Sequence, residues 1–544
     1  MKGFSPPSHS QIFLMSGLMS GARTPAGPAS WLYCRRLGGA TLLAFTLVSI
    51  AAFPLQAQQV VADGTTQTAS GTINTGTLAP PAGYALYALN GGIITSSSPL
   101  TLITGGSAAN AVQAISGGSI SIAEGSTITA SGTNASGVFS DNAGVSISGG
   151  QITSGLGSTG VIAQNGGTVT MTGTNSVTGG FRGLTATDAP SAIDASQSTQ
   201  LTVTFTGGSG VLMTNGGLVK LPSSTSNGTS VINVNSSGTG IAAVNTAAGA
   251  AGSGITINQI GPGSTGVYAA TSSTLTLGNL LIQGSGGVAG VLSGSGSAVT
   301  LNGTSSITIS GGTGTSFHAT AGNVSTQING VSSAGLLSLS SGSLNAADTS
   351  ILVTSPVGVG AAAISGGSMT LTGGSITVTG SDSTGVISDA TMSLTNVPVT
   401  TTGANSAALE VDGGSRLSVT NSSAEAQGSG ESFGLLVTGG TATNPNVVAI
   451  LGGTLTSLQA AAIESENAIL NITLSNGARV TGGGGLVLNT IGRSTLNLTS
   501  DASTMTGAAF TDATSTSNVA LQNGSLWTMT ARSASLRRPA IRHF

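Results

Sequence analysis

Short stretches of the chain alternate between aliphatic side chains and small or hydroxyl-bearing ones. Examples are 119–122 (Ser-Ile-Ser-Ile), 168–172 (Thr-Val-Thr-Met-Thr) and 298–301 (Ala-Val-Thr-Leu). A period of two places the aliphatic side chains on one face of a β-strand and the hydroxyls on the other. Because β-branched residues are abundant and strong helix formers are scarce, the pattern predicts strands rather than helical repeats.

These stretches belong to a repeat with a mean period of about 25 residues, which lies in the range of solenoid proteins. Each copy opens with a small residue followed by a larger, usually aliphatic one, and Gly-Gly or Asn-Gly pairs between strands favour positive-φ corners. The 18 opening pairs are Ala85-Leu86, Ala111-Val112, Gly137-Val138, Gly160-Val161, Gly183-Leu184, Gly210-Val211, Gly240-Ile241, Gly266-Val267, Gly290-Val291, Ser316-Phe317, Gly335-Leu336, Gly360-Ala361, Gly385-Val386, Ala408-Leu409, Gly434-Leu435, Ala462-Ile463, Gly485-Leu486 and Ala509-Phe510.

One copy of this repeat is too small to fold alone, because its few aliphatic side chains do not offset the conformational entropy of ordering the segment. The copies must therefore stack, each providing backbone partners and an apolar lid to the next. We predict an all-β fold, a right-handed parallel β-helix of about 18 rungs. The handedness follows the general rule for parallel crossovers. At about 4.8 Å per rung, the rod would be roughly 85 Å long.

The composition agrees with a solenoid and excludes several other classes. Only 5% of the residues are charged and the formal net charge is −3, whereas intrinsic disorder usually requires low hydrophobicity with high net charge. The 86 glycines do not recur at every third position, so a collagen triple helix is excluded. The alternative is a low-complexity Gly/Ser linker, and the recurring Val, Ile and Leu at alternating positions argue against it.

The first 57 residues are predicted to be a leader with a signal peptide. Arg35 and Arg36 precede an apolar run at 37–53, and cleavage after Ala57 fits the small residue at the exit. A membrane anchor is the alternative, but this run is shorter than the roughly 20 residues that a spanning helix needs. The single cysteine, Cys34, lies inside the leader, so the mature chain is predicted to have neither a disulfide nor a thiolate metal site.

The body of the chain is acidic. Between residues 58 and 530 there are 16 acidic and 5 basic residues, which gives a formal charge of −11. Such a surface is unsuited to nucleic acid or to anionic lipid. We therefore predict no nucleic-acid partner, and no motif in the chain requires a cofactor or a metal.

The ordered series of rungs, typified by 160–173 and 360–380, resembles the passenger domain of pertactin-like bacterial autotransporters (type V secretion) over residues 58–530. The segment 519–530, with Asn523 and Trp527, resembles the Asn-x-x-x-Trp-x-x-Thr-Gly phrase of the family. The resemblance implies an exported, non-enzymatic, adhesin-like or spacer rod, located in the periplasm, on the cell surface or outside the cell. It also implies an outer-membrane translocator barrel and a host or cell-surface ligand as partners.

The predicted organisation has four parts. They are the leader at 1–57, an N-terminal cap segment at 58–84, the β-helical passenger at 85–530 and an atypical basic tail at 531–544. The tail has four arginines, and the strands of a translocator barrel do not follow it, so a frameshift or a truncation near Thr530 is the expectation. A natural basic tail that binds a partner is the alternative.

A β-helical polysaccharide lyase or hydrolase is the alternative function. Glu410 and Asp412 with Arg416, or Glu464 with Glu466, have the carboxylate spacing that glycoside hydrolysis can use. Solvated turn residues are the favoured interpretation of both pairs. Two further candidates, Ser432 in a Gly-x-Ser-x-Gly match and His318, are also interpreted as structural, because the match needs a strand-to-helix turn and a histidine base. No catalytic residue is therefore predicted.

Overall fold

The computed structural model describes residues 59–530, except 224–227, 236, 247–249, 260–262, 287–288, 313–315, 322–323 and 330–331. The side chains of 250–251 and of the strands between 316 and 329 are also outside the description. The predicted leader at 1–57 and the predicted basic tail at 531–544 therefore lie outside the described residues.

All regular structure in the described part of the chain is β-strand. The first seventeen strands are β1 (Val60–Asp63), β2 (Thr66–Thr68), β3 (Gly71–Gly76), β4 (Leu86–Leu89), β5 (Ile93–Thr95), β6 (Leu100–Thr104), β7 (Val112–Ile115), β8 (Ser119–Ile122), β9 (Ser126–Ala130), β10 (Val138–Asp141), β11 (Gly144–Ile147), β12 (Gly150–Ser154), β13 (Thr159–Gln164), β14 (Thr168–Gly179), β15 (Arg182–Thr187), β16 (Ala192–Phe205) and β17 (Ser209–Thr214). The next sixteen are β18 (Leu218–Lys220), β19 (Thr229–Val234), β20 (Thr239–Val244), β21 (Ala250–Ser253), β22 (Ile255–Gln259), β23 (Thr265–Ala270), β24 (Thr274–Gly278), β25 (Leu281–Ser285), β26 (Ala289–Ser293), β27 (Ala298–Asn302), β28 (Ser305–Ser310), β29 (Ser316–Ala321), β30 (Val324–Asn329), β31 (Ser333–Leu339), β32 (Ser343–Val353) and β33 (Gly358–Ile364). The last sixteen are β34 (Ser368–Val378), β35 (Thr384–Ser388), β36 (Thr391–Thr395), β37 (Val399–Thr401), β38 (Ala407–Val411), β39 (Arg416–Thr420), β40 (Ser423–Ala426), β41 (Leu435–Gly439), β42 (Asn446–Leu451), β43 (Thr454–Ser457), β44 (Ile463–Ser475), β45 (Arg479–Ile491), β46 (Thr495–Asp501), β47 (Thr504–Thr511), β48 (Thr516–Gln522) and β49 (Leu526–Thr528).

The strands wind into a parallel β-solenoid of about 17 turns within the described residues. The turns pair along three ladders, which we name ladder A (starting with β1, β4 and β7), ladder B (β2, β5 and β8) and ladder C (β3, β6 and β9). In some turns one long strand runs through two ladders, as β14 does through ladders B and C. Apart from β29 and β30, the strands pair in parallel with equivalent strands of neighbouring turns, as in the register Leu86–Val112–Val138. The predicted all-β parallel β-helix is confirmed, and its right-handedness stays a prediction.

Aliphatic side chains form continuous columns inside the solenoid. In ladder C, Ile282, Ile307, Ile351 and Ile376 are in register on successive turns and all are buried in one apolar cluster. Burial of apolar surface is the dominant favourable contribution to folding, and a side chain here is covered only when its neighbouring turns are present.

No helix of the described residues has the length and apolar character needed to span a bilayer.

Serine hydroxyls occupy the corners between the ladders as well as the outer surface. Ser383, Ser406 and Ser432 are buried at the corner before ladder A. The amide of Ser383 donates to Oγ of Ser406 at 3.2 Å, and the amide of Ser406 donates to Oγ of Ser432 at 3.2 Å. Each hydroxyl therefore satisfies a backbone group that the corner removes from the ladder. Serine therefore has an internal structural role at the corners in addition to its place on the outer surface.

One predicted rung is wrong. Ser316-Phe317 does not enter ladder A, because β26 pairs directly with β31. The intervening β29 and β30 form a separate antiparallel hairpin that lies beside β20 and β23 of ladder A. The small-then-large signature at 316–317 occurs here in an insertion, where it carries no information on stacking.

The two ends of the repeat also differ from the prediction. Within the predicted cap segment, β1, β2 and β3 pair in register with β4, β5 and β6, so they form a turn of the solenoid. Near the other end, the residues in register with Ile463 are Leu488 and then Ala509. The predicted opening pair at 485–486 therefore lies two residues away from the observed register, and the pair at 509–510 lies one residue away from it.

The glycine that opens most turns fills a position where a Cβ atom would collide with the core. At Gly360, an added Cβ would lie 2.3 Å from Cγ2 of Ile376 and 2.5 Å from the carbonyl oxygen of Gly385. We expect Gly360→Ala to lower the free energy of unfolding by about 1–3 kcal/mol, the usual cost of overpacking, measured by urea denaturation. Gly144→Ala is the matched control, because its Cβ would meet only Oγ1 of Thr168 at 3.7 Å. Equal effects of the two substitutions would contradict this explanation.

Candidate functional site on the outer face of ladder A

The outward side chains of ladder A form a surface that we name face A. They alternate with the buried core residues of the same strands, as the pleat of a strand requires. The outward positions, in register from the first turn to the last, are Val61, Tyr87, Gln113, Phe139, Ile162, Thr185, Leu212, Ala242, Tyr268, Leu292, Leu337, Ala362, Ile387, Glu410, Leu436, Glu464, Asn489 and Phe510. Four of these residues are aromatic, in a chain that is only 3% aromatic, so face A is the chemically distinctive surface.

The first turns of face A carry aromatic rings around a buried amide. Tyr87 and Phe139 are partly exposed, and Gln113 lies between them in the register. The ring of Tyr84 packs edge-to-face against Tyr87, with centroids 5.1 Å apart and an interplanar angle of 62°. Burial raises the pKa of the Tyr84 hydroxyl, and the neighbouring Tyr87 adds to this shift. The ring of Tyr87 is thus supported from one side while its strand fixes its position.

Gln113 is held rigidly although it lies on the outside of the sheet. It is only 7% exposed, and its Oε1 accepts a hydrogen bond from Nδ2 of Asn110 at 2.5 Å. Asn110 is fixed in turn, because its Oδ1 accepts from the amide of Ser136 at 2.6 Å. The Gln113 amide group is therefore preorganised between the two rings.

A second outward row runs beside the first. It contains Ile115, Asp141 and Gln164 in register. The carboxylate of Asp141 accepts hydrogen bonds from Nε2 of Gln164 at 2.8 Å and from Nδ2 of Asn165 at 3.1 Å. This part of face A combines aromatic, amide and carboxylate groups.

The middle of face A is apolar and buried. Leu212, Tyr268, Leu292 and Leu337 belong to a cluster that is separate from the interior core, although they point outward. The β29 strand of the inserted hairpin lies beside β20 and β23 at this level. The insertion thus divides face A into an aromatic part in the early turns and an acidic part in the late turns.

The late turns of face A contain the carboxylates that the sequence singled out. Glu464 is 3% exposed, and both of its oxygens accept from Nδ2 of Asn489, at 2.9 and 2.7 Å. Burial raises the pKa of Glu464 to about 7; the hydrogen bond from Asn489 opposes the shift, and the charges of Glu466 and Glu431 add to it. Glu410 lies two turns earlier on the same face, where it accepts from Oγ1 of Thr384 at 3.0 Å.

The other candidate acid–base residues do not come together. Asp412 follows β38 at a corner and accepts a hydrogen bond from the amide of Gly413 at 2.7 Å. Arg416 begins β39 in ladder B, where it is exposed. Among the described residues, the ion pair that forms is elsewhere, between Lys220 and Asp194 at 3.4 Å. The lyase-like combination of Glu410 and Asp412 with Arg416 is therefore not assembled as the sequence suggested.

The structure describes the environment of Ser432 but not that of the His318 side chain. Ser432 is fully buried in the corner serine series, and its Oγ donates to the carbonyl oxygen of Ser429 at 3.0 Å, so it has a structural environment. His318 lies in β29, and its side chain is outside the described residues. No group of three or more His, Cys, Asp or Glu side chains suited to a metal ion occurs in the described part of the chain.

Sequence reasoning missed the aromatic positions of face A. The signal was present, because the residue after each of the first three opening pairs is Tyr87, Gln113 or Phe139. Those residues share one face only if the copies are stacked in register. The inward aliphatic positions define the repeat, whereas the outward residue varies from copy to copy and so gives no periodic signal.

Comparisons with known proteins do not indicate a function, so the function is inferred from the fold and from face A. No protein-family model matches the chain. A search of curated proteins likewise gives no match. The parallel β-solenoid is compatible with a β-helical passenger and also with a β-helical enzyme, and the residues of face A must distinguish the two.

Proposed function

We propose that this chain is an exported, non-enzymatic β-helical passenger of the pertactin-like autotransporter type, acting as an adhesin-like rod or spacer. The observation that carries the proposal is face A, where a regular solenoid presents preorganised aromatic and amide groups at its surface. Solvent-facing aromatic residues are typical of recognition surfaces. The proposed partners are an outer-membrane translocator barrel and a ligand on a cell surface.

The composition of the body supports export without any special stabilising chemistry. The body from 58 to 530 contains no cysteine, so its stability does not depend on the redox state of the compartment. Its backbone groups pair along three ladders and its polar surface consists mainly of neutral hydroxyls. A chain of this kind is suited to the periplasm or to the cell exterior, and its acidic charge disfavours nucleic acid as a partner.

Export is directly testable with the full chain expressed in a Gram-negative host. We expect the chain in the periplasmic or surface fraction, with a mature N-terminus at Gln58, as determined by fractionation and N-terminal sequencing. A variant lacking residues 37–53 is the matched control and should stay in the cytoplasm, because it lacks the apolar region of a signal peptide. Cytoplasmic retention of the intact chain would contradict the proposal.

A polysaccharide hydrolase is a second candidate, favoured by one specific observation. Glu464 has its pKa raised to about 7 by burial, as a general acid requires, and Glu410 lies on the same face two turns away. Two turns correspond to about 10 Å between backbones, comparable with the roughly 6.5–9.5 Å carboxylate separation of inverting glycosidases. Release of reducing ends from pectin or related polymers, abolished in Glu464→Gln, would favour this function. Loss of such activity in Asp412→Ala would likewise overturn the non-enzymatic proposal.

A further inference from the structure

We propose that face A in the early turns is a binding platform for a neutral glycan, with Tyr87 and Phe139 as its stacking rings. This inference rests on the proposed function, because it names the ligand class of the surface that an adhesin-like rod would use. The platform consists of Tyr87, Gln113, Phe139 and Asp141, supported by Tyr84 and Gln164.

The two rings have the spacing that stacking on sugars requires. Tyr87 and Phe139 occupy the same register position two turns apart, which corresponds to about 10 Å between their backbones. Both are partly exposed, and Tyr84 supports Tyr87 from the side. The apolar face of a pyranose ring packs on an aromatic ring. In an extended glycan, the sugar faces that point to the same side recur at about the length of one disaccharide. The axis of the bound glycan would run along the axis of the solenoid.

Polar groups lie where the hydroxyls of the bound sugars would be. Gln113 is nine-tenths buried between the two rings, with its Oε1 already accepting from Asn110. No hydrogen bond from its Nε2 occurs within the described residues, which leaves this nitrogen as a donor for a ligand oxygen. Asp141 accepts from Gln164 and Asn165 and has remaining acceptor capacity for sugar hydroxyls, since an ionised carboxylate has about four lone-pair sites.

The charges and the strand pairing disfavour other classes of polymer. The strands β4, β7, β10 and β13 contain Asp141 and no basic residue, and the body as a whole is acidic, so an anionic polysaccharide or a nucleic acid would be repelled. A peptide could not add as a further strand here, because β4, β7 and β10 are each paired on both sides. A neutral polymer that binds by stacking and by hydrogen bonds to hydroxyls satisfies both constraints.

Affinity electrophoresis of the full chain tests the inference. The gels contain a neutral soluble polysaccharide (hydroxyethyl cellulose, xyloglucan or glucomannan) or the anionic polygalacturonate, and retardation measures binding. We expect retardation by at least one neutral polymer and none by polygalacturonate, with the double variant Tyr87→Ala/Phe139→Ala binding about tenfold more weakly or not at all. Phe181→Ala is the matched control, because Phe181 is an aromatic residue exposed at a corner outside the platform, and it should bind normally.

The outcomes separate this inference from the proposed function. Absence of retardation by all three neutral polymers, retention of full binding by the double variant, or preferential binding of polygalacturonate would each overturn the glycan platform. Circular dichroism and urea denaturation of the double variant verify that its solenoid is intact. Because export is measured independently by fractionation, an exported chain that fails in these gels would refute the glycan platform and leave the passenger proposal standing.

Discussion

Replacing Phe205 by alanine is expected to lower the free energy of unfolding by about 3–5 kcal/mol, the usual cost of removing a buried aromatic side chain. Phe205 is fully buried at the end of β16, in a core that is otherwise mainly aliphatic. Its ring fits because glycines lie around it. An added Cβ at Gly210 would be 2.8 Å from Cε1 of Phe205, and one at Gly238 would be 2.9 Å from Cε2. In the alanine variant these glycines have no side chains to fill the space left by the missing ring.

Urea denaturation followed by circular dichroism measures this effect, and Phe139→Ala is the matched control. Phe139 undergoes the same change of side chain on the outer face, where little apolar surface is lost and no interior cavity forms. Because a turn contacts only its neighbours, we also expect limited proteolysis of Phe205→Ala to begin close to β16. An unfolding midpoint equal to that of Phe139→Ala would show that the inward column is not the main source of stability.

The stability of the solenoid is expected to fall as the pH rises through the pKa of Glu464. Burial raises this pKa from 4.5 to about 7 in the folded chain, so between these values the folded state binds a proton that the unfolded state has released. The resulting stabilisation is fully present below about pH 4.5 and is lost as the pH rises through about 7. At 1.36 kcal/mol for each pH unit, the contribution is about 3 kcal/mol.

Glu464→Gln isolates this contribution, because an amide resembles the protonated acid and does not titrate. The variant should match the wild type near pH 4.5 and exceed its free energy of unfolding by up to about 3 kcal/mol at pH 8. Glu425→Gln, on the partly exposed outer side of β40, controls for the removal of one negative charge. If the difference between Glu464→Gln and the wild type does not change with pH, the pKa of Glu464 is the same in the folded and unfolded states and the expectation is wrong.

The main features of the fold could be predicted from the residue pattern. The alternation of aliphatic and hydroxyl-bearing residues with a period of two, as at 168–172, predicted strands. The repeated opening pairs, such as Gly360-Ala361, predicted most of the turns that ladder A contains. This succeeded because each turn solves the same packing problem, so one local rule applies along the whole chain. The failures occur at Ser316-Phe317 and near 485–510, where an insertion and shifted registers break that rule.

The candidate site was only partly predictable. The sequence indicated Glu410 with Asp412, and Glu464 with Glu466, as possible carboxylate pairs. The structure instead places Glu410 and Glu464 on face A, two turns apart. The burial of Glu464 could not be foreseen, since it depends on neighbours such as Asn489 in the adjacent turn. The Tyr87 and Phe139 pair was likewise not recognised, because the two residues are separated along the sequence and lie on one face only when the turns are stacked in register.

The sequence by itself determined the kind of structure: strands, an aliphatic interior and a stacked repeat, because side-chain alternation and glycine corners act locally and recur in every copy. Only the tertiary structure decided the register of the turns, the insertion of the β29–β30 hairpin over ladder A, and which outward residues meet on face A. Those features depend on contacts between residues a full turn or more apart. Local patterns constrain such contacts only weakly, because many registers would bury the same aliphatic side chains.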